Sequence, residues 1–320
     1  MDRLKVAVLG AGSMARRHLD VLRALSDVNV VGVSSRGAEK LNKLAEDYNL
    51  EAKFRNNDDM LKAVKPDAAV VAVSVANVHD VTMTCIKHHI STLIEKPPGL
   101  TVAESEDLLK ASKEAKALYM VGLNRRFYSV IQNAKKLVED SGRLVSMVIH
   151  APEDIDAIRA MNFHPKEVLD HWVAANGMHC IDLLRFLGGD VASVQALSSA
   201  WNDSSRNSYG ALVRFQNGAI GHYVSNWTAP GRWYATLYGL DMRVDLMPLE
   251  EGNVVRRDGS TVPVPKDDVD LKFKAGFYGQ DKYFVEHVRT NTPIKLPASN
   301  LEDAVKTMKL VEAIANSQMN

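Results

Sequence analysis

A lysine beside a reacting oxygen can do specific chemistry, because its ammonium stabilises the charge that develops as a hydroxyl becomes an alkoxide. In "LIEKPPGLT", residues 93–101, Glu95 and Lys96 end a short apolar run and directly precede Pro97 and Pro98. Proline lacks a ladder donor and confines the residue before it to extended backbone, so the strand stops with Lys96 at its mouth. An exposed turn with incidental charges would use the same letters. His179, in "GMHCIDLLRFLGG" (177–189), is a second candidate, since an imidazole titrates near neutrality and exchanges protons with hydroxyls. It leads an apolar helix closed by a glycine pair, where a packed or capping histidine is the competing reading. Asp182, three residues on, shares its helix face, either as its partner or as a structural residue near the helix start.

A dinucleotide would supply what these side chains lack. "VAVLGAGSMARRH" carries Gly10, Gly12 and Ala15 as G-x-G-x-x-A, between a buried strand and a helix. Gly10 permits the tight turn, Gly12 lets a pyrophosphate approach the backbone, and Ala15 lets helix and strand pack closely. Ser13 and Met14 open the helix whose N–H groups face the anion. A strand-to-helix turn without a ligand is the plainer alternative. About 20 residues past the glycines an NAD site carries a carboxylate for the ribose hydroxyls. Here Ser34, Ser35 and Arg36 take that place, which favours the 2′-phosphate of NADP over NAD.

These residues need a frame. "KVAVLG", "VNVVGVSS", "PDAAVVAVS", "STLIE" and "ALYMVGLN" are apolar runs separated by helical stretches, which requires crossovers and a doubly wound parallel sheet. After Asn124 a helix, 129–140, and the strand "LVSMVIH" lead to an irregular stretch, 151–175. Then "VASVQALSSAW", "SYGALVRFQNGAIGHYVSNW" and "RWYATLYGLDMRVDLM" alternate with turn signals such as Gln216-Asn217-Gly218, as antiparallel hairpins do. An amphipathic helix, about 299–317, comes last. The fold class is α/β in two domains: residues 1–122 bind dinucleotide, and residues 123–320 bind substrate and mediate oligomerisation.

Composition sets the outer bounds. Lysine plus arginine equals aspartate plus glutamate, 39 each, which leaves no overall electrostatic footprint for nucleic acid or an anionic membrane. No apolar run reaches the length of a membrane span. Cys85 and Cys180, the two cysteines, fit a reducing compartment, and a strand starting at Lys5 leaves no room for a signal peptide. The expectation is a cytoplasmic protein without a metal site, since no ligand spacing matches a standard one.

The glycine turn, "PDAAVVAVSVANVHDV", "LIEKPPGLT", "VGLNRRF", "GMHCIDLLRFLGG" and the closing "DAVKTMKLVEAIANS" together resemble the glucose–fructose oxidoreductase/inositol dehydrogenase (Gfo/Idh/MocA) family, over nearly the whole chain. The resemblance implies a Rossmann domain followed by an α/β domain with an open, largely antiparallel sheet that mediates homodimers or homotetramers. It implies hydride transfer between a nicotinamide and a hydroxyl-bearing carbon of a sugar, sugar derivative or cyclitol. Lys96 matches the family's Glu-Lys-Pro lysine and His179 its active-site histidine. Ser74 and Asn77 follow the fourth strand, where the family's loop borders the cofactor. His79 either borders the cleft or begins the next helix, and Glu95 holds its loop, contacts the nicotinamide's surroundings or is a surface charge. Asn124, Arg125 and Asn176 are substrate-side candidates, with Arg125 alternatively pairing with carboxylates. The chain departs from the pattern at Ala175, four residues before His179, where many members carry a carboxylate. That departure leaves two other classes open: a dinucleotide-binding sensor or scaffold without turnover, and a redox-cycling lyase or glycosidase that uses NAD transiently.

Overall fold

The computed structural model describes residues 2–200 and 206–319. Their contacts divide the chain into two compact units: Met1–Phe127 with Val269–Lys306, and Tyr128–Asp268 with Thr307–Asn320.

In the first unit, β1 (Leu4–Leu9), β2 (Val28–Ser34), β3 (Lys53–Phe54), β4 (Ala68–Val71), β5 (Ser91–Glu95) and β6 (Tyr119–Gly122) pair in parallel in the order 3-2-1-4-5-6. A short antiparallel strand, Ser299–Asn300, pairs beside β6 at the far edge. Val6, Val8, Val70, Leu93 and Met120 are fully buried, as strands covered by helices on both faces require. Strand order reverses between β1 and β4, and in such sheets ligands bind outside the carboxyl ends at that point. Helix Ser13–Ala24 follows β1 and buries Ala15, His18, Leu19, Val21 and Leu22, one stripe of a 3.6-residue period.

The second domain was expected to run from 123 to 320, but by contacts residues 269–306 group with the first unit. Helix Phe277–Thr290 sets Phe277, Phe284 and Val285 into the same apolar core as Val6, Leu19 and Leu93. Packing, not chain order, thus returns residues 269–306 to the dinucleotide-type unit.

The second unit holds a sheet of nine described strands. Its order is Thr261–Pro263, Gly252–Arg256, Met242–Leu246, Tyr234–Tyr238, Ser146–His150, Ile220–Asn226, Arg206–Phe215, Val191–Ala200 and Gln318–Met319. All neighbours are antiparallel except Ser146–His150 with Ile220–Asn226, and Val191–Ala200 with Gln318–Met319. Trp201, the last residue of the run expected as a strand, lies outside the described residues. The turn at Asn217 and Gly218 closes with Gly218 N–H donating to Phe215 O, as the hairpin signal predicts.

One face of this sheet buries Met147, Ile149, Val213, Tyr223 and Leu237, while the other leaves Leu197, Leu212 and Val224 exposed. The stretch 151–175 is more ordered than expected. It contains helices Ile155–Ala160 and Lys166–Asp170, then a π-helical turn, Val173–Gly177, that runs into helix Met178–Gly188. Among the described residues, no helix is long and apolar enough to cross a membrane.

Candidate functional site

The glycine turn has the build a pyrophosphate needs. Gly10 has φ +127°, and a Cβ there would lie 2.0 Å from the Ala72 carbonyl oxygen, so a side chain is excluded twice over. A Cβ at Gly12 would meet nothing within 4 Å, which leaves open space above the backbone where the helix begins. Gly12 is the N-cap of helix Ser13–Ala24 and supplies no side-chain cap, so the first N–H groups remain turned outward for an anion. Ser13 is exposed and Met14 half-buried beside them. These residues fit a dinucleotide.

At the end of β2 the candidates separate. Ser34 is fully buried and donates to Asn57 Oδ1 at 2.7 Å, so its hydroxyl is engaged inside the protein. This corrects its place among the cofactor ligands: β2 is covered on both faces at its end, where Val33 is also fully buried, so Ser34 faces the protein interior. Ser35 is half-buried and Arg36 exposed. The Arg36 guanidinium donates to Asn77 Oδ1 at 2.8 Å, and Asn77 Nδ2 donates to Ser74 Oγ at 2.5 Å. A polar chain thereby links the ends of β2 and β4 on either side of β1. His79 stands apart from it, with ring nitrogens 3.0 Å from Asp80 and 3.0 Å from Asp107. Burial opposes its charged form, but those carboxylates prevail and raise its pKa. One ring nitrogen faces its neighbour on helix Val78–Lys87 and the other joins that helix to Val102–Ser112, so both are engaged away from the cofactor turn.

The strand end at Lys96 is held from both sides. Lys96 itself is half-buried, and the Lys96–Pro97 peptide is cis. Glu95 is no surface charge. It is 6% exposed, its Oε1 lies 3.1 Å from His18 Nε2, and its Oε2 accepts the Lys96 backbone N–H at 3.2 Å. The other His18 nitrogen, Nδ1, lies 2.8 Å from Asp281 Oδ2. Burial alone would push this imidazole down, but Asp281 and then Glu95 override it and raise the pKa to about 10. On the downstream side, Thr101 and Glu104 form a capping box, and Glu104 Oε2 also accepts from Leu100 N–H at 2.5 Å. A Cβ at Gly99 would come 2.5 Å from Glu104 Cβ, so the "PPGLT" turn can only close on that helix with glycine. Beyond β6, Asn124 is buried and donates to Ala275 O at 3.1 Å, while Arg125 is half-buried.

In the second unit, His179 is 7% exposed in the first turn of helix Met178–Gly188, its ring 6.3 Å from that of Trp233. Trp233 Nε1 donates to Pro152 O at 2.9 Å, and Asn176, in the π turn, donates to Glu153 Oε1 at 2.7 Å. The loop after strand Ser146–His150 is thus tied to the turn that presents His179. Ala175 is buried and brings no charge. Asp182 is 1% exposed and accepts from Thr307 Oγ1 at 2.8 Å, and Thr307 in turn accepts from Arg185. That engagement ties Asp182 to Thr307, in helix Leu301–Ala315.

Sequence reasoning singled out Glu95 but not the partner of its side chain. That partner, His18, sits on an apolar helix stripe; Asp281 behind it and Glu153, the partner of Asn176, carry no motif. A buried-face histidine on the helix after the glycine turn was the one available signal. Among the described residues, no group of three histidine, cysteine, aspartate or glutamate side chains is placed to hold a metal ion.

Comparison with known proteins fits this geometry. Residues 4–123 match the model of an oxidoreductase family with an NAD-binding Rossmann fold, GFO_IDH_MocA. Residues 131–245 match the GFO/IDH/MocA C-terminal domain. Similar curated proteins include myo-inositol 2-dehydrogenase of Thermotoga maritima, 22% identical over 98% of this chain and 96% of the relative. Another is scyllo-inositol 2-dehydrogenase (NAD(+)) of Bacillus subtilis, 22% identical over 99% of this chain and 95% of the relative. Among solved structures, levoglucosan dehydrogenase in complex with NADH and levoglucosan superposes with a TM-score of 0.83 at 18% identity, covering 99% of this chain and 97% of that one. The chain is an enzyme of the Gfo/Idh/MocA oxidoreductase family.

Proposed function

We propose that this enzyme transfers a hydride between a nicotinamide dinucleotide, NADP in preference to NAD, and a hydroxyl or keto carbon of a sugar, sugar derivative or cyclitol. The observation that carries this reading is the fixed strand end: Lys96 leaves β5 at the carboxyl edge of a sheet whose β1 ends in the open Gly10–Gly12 turn. The bound dinucleotide supplies the hydride acceptor or donor. Gly12, Ser13 and Met14 hold its pyrophosphate through backbone N–H groups, and Ser35 and Arg36 meet the adenosine ribose and its phosphate.

In the oxidative direction the substrate C–H gives up a hydride and the O–H a proton. Lys96 stabilises the oxygen as it gains alkoxide character, and His179 accepts the proton. Both return their parts in reduction. Asn124, Arg125 and Asn176 contribute hydrogen bonds to the remaining hydroxyls. The names of the relatives support a polyol or sugar substrate, and the exposed Leu197, Leu212 and Val224 support self-association through that sheet face as a homodimer or homotetramer.

The test is nicotinamide absorbance with myo-inositol, scyllo-inositol, levoglucosan and their keto counterparts, each with both dinucleotides. Turnover that vanishes in Lys96→Ala supports the assignment, and near-full activity in that variant refutes it. A second reading rests on buried Ala175, which leaves His179 without the family carboxylate at that position. A dinucleotide-binding protein without turnover would bind NADP in the same assays and oxidise nothing in the panel.

A further inference from the structure

The first unit buries a charge network that the chemistry above does not use. Glu95, His18 and Asp281 are 6%, 0% and 0% exposed, and both His18 nitrogens face a carboxylate oxygen. The three come from β5, from the helix after the glycine turn, and from the helix that returns after residue 268. Gln280 Nε2 donates to the other Asp281 oxygen at 3.2 Å, and Phe277 covers the imidazole with ring centroids 5.1 Å apart. Buried ions of this kind seldom add stability over apolar residues of the same volume, and they are best attested where they specify one arrangement of the groups around them. What is specified here is local. The second Glu95 oxygen receives the N–H of Lys96, so turning the Lys96 backbone breaks a hydrogen bond to a carboxylate that His18 holds still.

We propose that His18 is a positioning residue for Lys96: backed by Asp281, it fixes the Glu95 carboxylate that holds the Lys96 backbone and so aims the side chain. The proposal rests on the reading of Lys96 as the cation at the reacting oxygen. It assigns a task to the returning helix as well, which supplies the carboxylate behind the imidazole. Removing His18 leaves both buried carboxylates without their shared imidazole counter-ion. Glu95 then takes up a proton or turns away, and the Lys96 amide loses a fixed acceptor.

NMR of the full-length protein, with lysine labelled at the ε carbon, tests this without a substrate. In His18→Leu the Lys96 amide exchanges with solvent about tenfold faster or more, while Val8, in the core of β1, keeps its protection. The Lys96 ε resonance, identified by its loss in Lys96→Arg, moves toward the exposed-lysine position. An unchanged resonance with unchanged Lys96 protection overturns the proposal. Should His18→Leu not fold, Asp281→Asn is read by the same two signals, with a smaller displacement expected and none as the refuting result. Activity separates the two claims. Turnover retained in Lys96→Ala sinks the reading of the site even if the spectra change. An inactive Lys96→Ala with unmoved spectra in the His18 variant sinks the positioning role alone.

Discussion

The strand end that carries Lys96 is set by buried charge, whereas the helix start that carries His179 comes after a π turn, Val173–Gly177, and lies near the Trp233 ring. The first setting is a relay: Asp281 holds His18, His18 holds Glu95, and Glu95 accepts the Lys96 backbone amide. In the second, Asn176 ties the π turn to Glu153, and the buried Ala175 brings no charge. A group held by charge in a low-dielectric site has one geometry and a high cost for leaving it. A π turn inserts a residue into the helical ladder and re-aims the side chains beyond it, a device that recurs at functional sites. The difference points to Lys96 as the fixed element of the chemistry, and to the His179 region as the place where the chain adapts to its substrate.

The largest expected effect tests that ranking. Lys96→Ala should lower kcat by about 10³-fold, the scale of losing a preorganised charge at the reacting oxygen. His179→Asn should cost about 10²-fold, the lower end for a general base, with a larger change in KM than Lys96→Ala gives. Steady-state kinetics on the first polyol found to react measures both. Equal losses, or a larger one at His179, would break the comparison.

Stability against pH sharpens it next. The His18 pKa is raised from 6.5 to about 10, so the folded protein holds that proton more tightly than the unfolded chain does. Its stabilisation is complete below pH 6.5 and is lost as pH rises through about 10. Glu95 acts in the opposite sense. Burial would raise its pKa, but His18 and Lys96 outweigh this and lower it, so its contribution is present above the ordinary carboxylate range and fades on acidification. Thermal melts should therefore fall steeply between neutral pH and pH 10 in the native protein, and more shallowly in His18→Leu. Parallel curves for the two proteins would show that the imidazole carries no such charge.

Much of this was legible in the sequence, and the failures share a physical cause. The β1 strand, the Gly10–Gly12 turn and the Lys96 strand end are local: a few adjacent residues dictate the backbone and the family motif. The helices Ser129–Asp140 and Met178–Gly188 also fall where apolar periodicity puts them. The network around Glu95 is not local, since its partner His18 lies 77 residues away and His18's other partner, Asp281, lies 263 residues from His18. No spacing rule joins such groups, and an apolar helix face does not say which core it enters, so the return of residues 269–306 was equally hidden. Between residues 151 and 175, helices of six and five residues are too short to display a period, and a π turn has a different one. Ser34 was misplaced for a simpler reason: both faces of β2 are covered at its end, where Val33 and Ser34 are each fully buried, so a polar residue there does not mark an open face.

The smallest effect concerns Arg36, where the same contrast between a held and an open group recurs within one loop. Ser34 is locked onto Asn57, but the Arg36 guanidinium is exposed and uses Asn77 as its partner, so it can turn to a phosphate at little cost. A charge-assisted hydrogen bond at an exposed position is worth about 1–2 kcal/mol. Arg36→Ala should therefore weaken NADP binding by about tenfold, and leave NAD within about twofold because NAD brings no phosphate to that place. Fluorescence titration of both dinucleotides measures the ratio. A loss shared equally by the two would mean that Arg36 serves the loop, by keeping Asn77 against Ser74, and that the choice of dinucleotide is made by other residues at the end of β2.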